Sequence, residues 1–163
     1  MFTITTITVS FFEQNCLYGE NSAVGESFLV DPGAEWEKIA RYIGTPLSSI
    51  ALTHSHLDHA GAVANALLAY PQTKLYGHEA ELPMRQRIEQ VAAGYGAPKG
   101  MFSNCPEPDT YVQDGDMITL GGITFQCLFC PGHSPGSVAF YYENASSEPW
   151  TLVEGSKKVV LTS

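Results

Sequence analysis

Hydrophobic and polar residues alternate as isoleucine and threonine over the first ten positions, a pattern that is typical of a β-strand. This alternation predicts a strand over Thr3–Val9. We expect a second strand over Asn15–Tyr18 and a third over Ser27–Val30 that stops at the turn sequence Asp31-Pro32-Gly33. Apolar residues then recur at helical spacing. The elements predicted up to the middle of the chain are a helix over Ala34–Ile43, a strand over Ser48–Thr53, a helix over Gly61–Tyr70 and a strand over Lys74–Tyr76.

The second half of the chain predicts more strand than helix. Its expected elements are a helix over Glu79–Ala93 with Pro83 in the first turn, a Gly- and Pro-rich loop over Gly94–Asp109, a hairpin of Asp116–Leu120 and Ile123–Phe129 around Gly121-Gly122, and a strand over Ser137–Tyr142. Alternating helices and strands followed by a run of strands suit sheets that are covered by helices. We therefore expect a single α/β layered domain over residues 1–163.

Charge narrows the choice of partners. The 163 residues include 17 acidic and 8 basic side chains, and the formal net charge is −9 at pH 7. An acidic surface repels phosphate backbones and anionic headgroups, so we expect neither nucleic acid nor a membrane as partner. Met1–Ser10 lacks the pattern of a secretory leader, and no apolar run reaches transmembrane length. The expected location is the cytoplasm.

The cysteines add little to this picture. The four cysteines of a cytoplasmic protein should be reduced thiols. Cys127 and Cys130 have the C-x-x-C spacing of redox and zinc motifs, but they lie at the end of a predicted strand, where residues three apart face opposite sides. We interpret them as two small buried residues.

Histidines carry the strongest chemical signal, because three of the five fall within six residues, Thr53-His54-Ser55-His56-Leu57-Asp58-His59. His54 and His56 are two apart on an extended segment, so both imidazoles leave the backbone on the same side. His133 lies in the segment Pro131-Gly132-His133-Ser134-Pro135-Gly136, a loop restricted by its prolines. Three histidines with one open position make the arrangement in which zinc is catalytic.

Asp58 and His59 are suited to a second, adjacent metal, since they cannot all join the first ion. The alternative is structural: Asp58 would be the N-cap of the helix that follows, and His59 a surface residue in its first turn. His78 follows Gly77 at a predicted helix start, and we do not expect it to be a ligand.

H-x-H-x-D-H after a short strand is the signature of the metallo-β-lactamase superfamily, which this chain resembles. The wider pattern is similar to that of single-domain type II glyoxalases, the hydroxyacylglutathione hydrolase-like proteins. The segments that match in order are Gln14-Asn15-Cys16, Val30-Asp31-Pro32-Gly33, Leu52-Thr53-His54, Asp58-His59-Ala60-Gly61, Asp114-Gly115-Asp116 and Cys130-Pro131-Gly132-His133-Ser134-Pro135-Gly136. The resemblance covers residues 3–142, and residues 150–163 are atypical.

The resemblance implies an αββα sandwich with the site at one edge, and roles for individual residues. His54, His56 and His133 would hold the first metal, and Asp58 and His59 part of the second. Asp58 would also take part in catalysis, and Asp31 would support the site from behind. The implied cofactor is zinc, one or two ions, with iron or manganese as alternatives. The implied reaction is hydrolysis of a small-molecule thioester such as hydroxyacylglutathione by metal-bound hydroxide.

The resemblance weakens near the C-terminus. Family members continue into a Gly-Asp motif, whose aspartate bridges the metals, and a later histidine; here the aligned position is Ser156, and no aspartate or histidine follows His133. Glu154, two residues earlier, would face the same side of a strand, and its substitution for the bridging aspartate is an alternative. We therefore expect a truncated second half, a chain that binds at most one metal tightly, and weak thioesterase activity. The alternative is an inactive metal-binding or interaction protein.

An incomplete sheet should also leave an edge exposed. The segment Lys157–Thr162 has strand propensity. We expect it to pair with that edge, either within the chain or across a homodimer.

Overall fold

Two β-sheets form the frame of the computed structural model, which describes residues 2–143 and the backbone of residues 158–161. The first sheet has the order β1-β2-β3-β4-β5-β6, and its strands are β1 Phe2–Val9, β2 Gln14–Asn21, β3 Glu26–Val30, β4 Leu47–Ala51, β5 Lys74–Gly77 and β6 Thr110–Tyr111. The second sheet has the order β10-β9-β8-β7, with β7 Met117–Leu120, β8 Ile123–Phe129, β9 Val138–Glu143 and β10 Lys158–Leu161.

Five short α-helices and one 3₁₀ turn connect the strands of the first sheet. They are α1 Trp36–Ala40, α2 Leu57–Ala60, α3 Val63–Ala69, the 3₁₀ turn Glu79–Glu81, α4 Leu82–Arg85 and α5 Ile88–Gly94. Their apolar sides pack on one face of the first sheet in a core that includes Ile39, Leu52, Val63 and Ile88. Burial of these side chains, rather than helix propensity, stabilises helices of only four to seven residues.

A second core lies between the two sheets and is built from alternate residues of facing strands. Phe28 and Val30 of β3 meet Ile118, Phe125 and Phe140 of the second sheet. Residues of opposite parity on the second sheet, such as Met117, are exposed. Within residues 2–143, helix, sheet and sheet thus form three layers of the expected αββα sandwich, and none of the described helices covers the outer face of the second sheet.

Strand direction sets the location of the site. β1, β2 and β3 are antiparallel, whereas β3, β4, β5 and β6 run parallel, so the carboxyl ends of β3, β4 and β5 meet at one edge of the first sheet. The backbone amide of Val138, at the start of β9, donates to the carbonyl of Thr53 over 2.8 Å and joins the two sheets at that edge. Loops after β3, β4 and β8 therefore converge, as is usual for sites in open α/β sheets.

The predicted helix over Glu79–Ala93 is wrong as a single element. It is divided into the 3₁₀ turn, α4 and α5, because Pro83 has no amide proton to continue a helix from the 3₁₀ turn, and Arg87 has a non-helical backbone with φ −120° and ψ 9°. The helix predicted over Gly61–Tyr70 is Val63–Ala69, preceded by the separate α2. The two-residue strand β6 was not predicted.

The cysteine interpretation is half right. All four cysteines are free thiols. Cys127 is fully buried, but Cys130 is exposed because it lies beyond the end of β8, so the expectation of two buried residues is wrong for Cys130.

The predicted pairing of the C-terminal segment is confirmed within the chain. β10 lies antiparallel to β9, with Lys158 opposite Glu143 and Leu161 opposite Phe140. It covers the edge of β9 that would otherwise be unpaired. Ser156, the position aligned with the bridging ligand, and Glu154, two residues before it, fall outside the described residues.

Among the described residues, no helix is long and apolar enough to cross a membrane.

Candidate metal centre

The turn between β4 and α2 presents His54 and His56 to the edge of the sheet. Leu52 continues the core beyond the strand, while His56 has an extended backbone, with φ −65° and ψ 160°, and serves as the N-cap residue of α2. The extended conformation places His54 and His56 on the same side of the chain, as predicted.

A second loop, between β8 and β9, brings His133 to the same place. The amide of Cys130 donates to the carbonyl of Ser137 over 2.9 Å, and the hydroxyls of Ser134 and Ser137 lie 2.8 Å apart. Ser134 is buried beneath the loop. These hydrogen bonds close the base of the loop and leave His133 exposed at its tip.

The three histidines converge. Each of His54, His56 and His133 offers one ring nitrogen, and these nitrogens lie within 4.8 Å of one another. The ring centroids are 4.7 to 4.8 Å apart, and Nδ1 of His56 is 3.0 Å from Nε2 of His133. The prediction that His133 lies beside His54, 79 positions away in the sequence, is therefore confirmed.

His54 has the environment of a ligand rather than of a core residue. Its Nε2 is buried and has no hydrogen-bond partner among the described residues, which is costly for a ring nitrogen unless something else occupies that position. Burial, reinforced by the nearby His59, lowers the pKa of His54 to about 4. Burial and the nearby His133 also lower the pKa of His56. Neutral imidazoles are the form that coordinates metals.

Asp31 lies beneath this cluster and is fully buried. Its backbone is left-handed, with φ 51°, which aspartate tolerates better than most residues. Oδ1 accepts a hydrogen bond from the amide of Thr53 over 2.8 Å, and Oδ2 accepts one from the Thr53 hydroxyl and lies 3.1 Å from Nδ1 of His59. Asp31 therefore fixes both the start of the turn that carries His54 and His56 and the ring of His59.

His59 lies between two carboxylates. Its Nε2 is 3.4 Å from Oδ2 of Asp58, while Nδ1 faces Asp31. Burial lowers the pKa of His59, but the bonds to Asp31 and Asp58 outweigh it and raise the pKa to about 9. For Asp58 the two effects have the opposite signs: burial raises the pKa, but the bond to His59 lowers the pKa below its usual value. The structural alternative is wrong for both residues, because His56 is the N-cap and His59 is buried.

A second set of donors overlaps the first. Asp31, His54 and His59 offer ligand atoms that lie within 4.8 Å of one another, and all three are buried. The sequence placed Asp58 with His59 in this second position and Asp31 behind it. His78 belongs to neither set: its Nδ1 accepts from the amide of Ala80 and caps the 3₁₀ turn, as its position at a helix start suggested.

Two buried charged residues next to the site were not predicted. The carboxylate of Glu81 accepts hydrogen bonds from the backbone of both ligand-bearing loops, and Arg85 donates to the Ser55 hydroxyl and the His78 carbonyl. Arg85 also pairs with Glu107 at 3.0 Å. A Glu–Arg pair four residues apart usually indicates an exposed helix face, so the sequence held no signal for their burial.

Comparison with known protein families agrees with the geometry. Residues 11–146 match the family model described as the metallo-beta-lactamase superfamily. The hydroxyacylglutathione hydrolase GloC of Haemophilus influenzae is 30% identical over 98% of this chain and 69% of its own length. The probable metallo-hydrolase YqgX of Bacillus subtilis is 32% identical over 74% of this chain and 57% of its own length.

Solved structures give the same picture. A di-iron-bound form of TTHA1623 superposes with a TM-score of 0.70 at 33% identity and covers 83% of this chain and 65% of that one. The B3 metallo-beta-lactamase BLEG-1 superposes with a TM-score of 0.72 at 27% identity, covering 87% of this chain and 67% of that one. The chain spans 65% of an uncharacterised Aquifex aeolicus relative and 46% of the Serratia proteamaculans hydroxyacylglutathione hydrolase.

Proposed function

The chain belongs to the metallo-beta-lactamase superfamily, and we propose that it is a metal-dependent hydrolase whose site is built on His54, His56 and His133. One observation carries the proposal: three imidazoles from two separate loops each offer a ring nitrogen within 4.8 Å of the others, and Nε2 of the buried His54 has no hydrogen-bond partner among the described residues. A cation would satisfy that nitrogen.

The donor set fits zinc. Three neutral imidazoles with an open fourth position suit a catalytic zinc ion, and imidazole also binds iron. A di-iron form is known for the relative TTHA1623, so iron is an alternative, and manganese a weaker one because it prefers oxygen donors. When bound, the cation would act as a Lewis acid that activates water and polarises a carbonyl.

A second cation would use Asp58 and His59. Asp31 lies 3.1 Å from Nδ1 of His59, so a proton shared there would leave Nε2 for a metal. The two residues are only part of a coordination shell, and the bridging position aligned with Ser156 carries no charge. We therefore propose that the first site binds tightly and the second weakly.

The substrate we propose is a small thioester such as hydroxyacylglutathione. The support is the similarity, at 28 to 32% identity, to several proteins named hydroxyacylglutathione hydrolase. Water adds to the thioester carbonyl, the carbon–sulfur bond breaks, and the products are a carboxylic acid and a thiol.

Residues of the chain would position the water and its proton. Asp58 is partly exposed at the site, and an aspartate is ionised near neutral pH, so its carboxylate can accept a hydrogen bond from the attacking water. Asp31 holds the ring of His59 in place through Nδ1. Asp58 is thus the carboxylate to which we assign a catalytic part.

The test combines metal content with turnover. The 163-residue chain would be purified, zinc and iron per chain would be measured, and a lactoylglutathione-type thioester would be assayed. We expect close to one tightly bound zinc, lost in His133→Ala together with any activity. The control is Arg87→Ala, which truncates an exposed side chain that belongs to neither donor set and bonds to Gln90.

Each outcome has a distinct meaning. Absence of bound metal from the folded wild-type chain would refute the proposed site. One bound metal without turnover would favour the metal-binding alternative over the hydrolase. Two tightly bound metals with turnover on the order of 10 per second, an ordinary enzyme rate, would show that the second site is stronger than proposed here.

A further inference from the structure

Glu81 lies between the two loops that carry the histidines, and its carboxylate joins them. Oε2 accepts a hydrogen bond from the amide of Ser55 over 2.8 Å, and Oε1 accepts one from the amide of Gly136 over 2.7 Å. Ser55 separates His54 from His56, and Gly136 follows His133 by three residues. One side chain therefore holds both halves of the histidine cluster.

We propose that Glu81 is a positioning residue that sets the separation of the His54–His56 turn and the His133 loop, and so the metal affinity of the site. The inference rests on the proposed metal site, but it concerns a residue that neither the sequence motifs nor the comparisons assign. Glu81 touches none of the reacting atoms and acts through the backbone of the two loops.

The energetics favour a specific role over an incidental contact. Glu81 is fully buried, and a buried carboxylate is costly unless its oxygens are hydrogen-bonded. Each oxygen receives a short bond from a backbone amide, the charge-assisted kind that is stronger than a neutral bond. Arg85, also fully buried, donates to the Ser55 hydroxyl over 3.4 Å and to the His78 carbonyl over 3.0 Å. The buried cation thus supports both the ligand turn and the start of the 3₁₀ turn.

Distance along the chain explains why such a connection matters. The two amides belong to residues 81 positions apart, in loops that extend from different sheets. The backbone bond from Val138 to Thr53 joins the bases of these loops, and Glu81 adds a contact next to the histidines themselves. Outer contacts that orient ligands typically change metal affinity about 10- to 100-fold when removed. The carboxylate of Glu81 is such an outer contact for two ligand-carrying loops at once.

Gly136 allows the carboxylate of Glu81 to come close to the backbone of the His133 loop. A Cβ atom on Gly136 would lie 2.7 Å from Cγ and 2.9 Å from Oε1 of Glu81, and 2.9 Å from Nδ1 of His78. Any side chain at this position would push the carboxylate away from the loop. Gly136→Ala therefore perturbs the same contact from the opposite side without changing a charge.

The experiment compares Glu81→Gln with wild type by zinc competition against a chelator. Glutamine keeps the size of the side chain but has one acceptor oxygen, so one of the two amides faces an NH₂ group. We expect zinc to bind about 10- to 100-fold more weakly. A metal-independent readout is the amide resonances of Ser55 and Gly136, which should shift upfield and exchange faster with solvent as the bonds weaken.

Thr73→Val is the matched control. It removes another buried hydrogen bond, from the Thr73 hydroxyl to the Leu47 carbonyl at 2.7 Å, at a place that touches neither loop. It should lower stability while leaving zinc affinity and both amide resonances unchanged. A general loss of stability would move Thr73→Val and Glu81→Gln alike, and only the proposed positioning role separates them.

The outcomes also separate this inference from the proposed function. Wild type without zinc affinity would refute the metal site, while the two amide resonances would still test whether Glu81 holds the loops. Zinc affinity within about two-fold of wild type in Glu81→Gln would refute the positioning role. Should Glu81→Gln fail to fold, Gly136→Ala provides the decisive measurement, with the same expected weakening and the same refuting result.

Discussion

Substitution of Asp31 by asparagine should destabilise the protein strongly although the two side chains have the same shape. Oδ2 of Asp31 accepts from the Thr53 hydroxyl and lies 3.1 Å from Nδ1 of His59. Asparagine has one acceptor oxygen, so in either orientation of its amide an NH₂ group faces a donor from which Asp31 accepts. Asparagine tolerates the left-handed backbone of this residue, so the variant isolates the hydrogen bonds from backbone strain.

The magnitude follows from the number and kind of bonds lost. Asp31 is fully buried, so water cannot replace the missing acceptor. Hydrogen bonds to charged groups contribute about 1.5–3 kcal/mol each, so the loss of one or two predicts a decrease of about 1.5–6 kcal/mol in the free energy of unfolding. A typical domain has about 5–15 kcal/mol in total. The variant should therefore lose a large part of its stability.

Urea denaturation with a chelator present measures this loss without a contribution from bound metal. The matched control is Asp114→Asn, which changes an exposed carboxylate that accepts from the amide of Phe129 over 2.8 Å. Its cost should stay below about 1 kcal/mol, since solvent can replace an exposed acceptor. If Asp31→Asn costs no more than Asp114→Asn, the hydrogen bonds beneath the ligand turn do not stabilise the fold as argued.

Two further predictions concern the backbone around the site and the sheet edge. Gly33→Ala would place a Cβ atom 1.5 Å from the carbonyl oxygen of Asp58 and should cost about 3 kcal/mol or more in thermal unfolding; Gly94→Ala, with no atom within 4 Å, should be neutral or stabilising by about 0.4–1 kcal/mol. Equal effects would contradict the close approach. Removal of all residues after Glu143 deletes β10 and should cause dimers or larger oligomers in light scattering, because the edge of β9 becomes free; a monomer with unchanged stability would contradict this.

The strands could be predicted from sequence because their burial is periodic. Alternation over Thr3–Val9 survives as β1, and Gly121-Gly122 forms the expected hairpin turn, with φ 54° and 75° at the two glycines. Two positive φ angles in succession are what this turn requires, and glycine is the residue that adopts them without strain. Local chemistry decides such features, so the sequence is sufficient.

The helical region was harder to predict because its pieces are held by tertiary packing. Residues 79–93 have apolar residues at helical spacing, yet they fold as a 3₁₀ turn and two short helices. Propensity alone cannot stabilise helices of four to seven residues, and the positions where they end depend on what each buries. The orientation of Glu81 toward the two histidine-carrying loops also depends on this tertiary packing.

The residues of the site also differ in whether the sequence could identify them. His54, His56 and His59 are close in sequence, and His133 stands in a motif of its own, so the pattern of residue types was enough to bring them together as candidates. Asp31 was found through the family resemblance. Glu81 and Arg85 were not found, since each is of a type that is almost never fully buried, and their separation by four residues is typical of an exposed helical pair.

Burial of both Glu81 and Arg85 departs from what their residue types favour, and the departure is informative in itself. Charged residues in a core lower stability unless their hydrogen bonds are complete, and an apolar pair of similar volume is often as stable or more so. Here the bonds of the carboxylate end on the two loops that hold the histidines. The guanidinium bonds to one of these loops, to the residue that begins the turn carrying Glu81, and to the carboxylate of Glu107. An apolar pair could fill the same volume, but it could not accept from the amides of Ser55 and Gly136. The cost of burying the charges is therefore linked to the geometry of the histidine cluster, which is where local departures from folding rules are expected when a site constrains the fold.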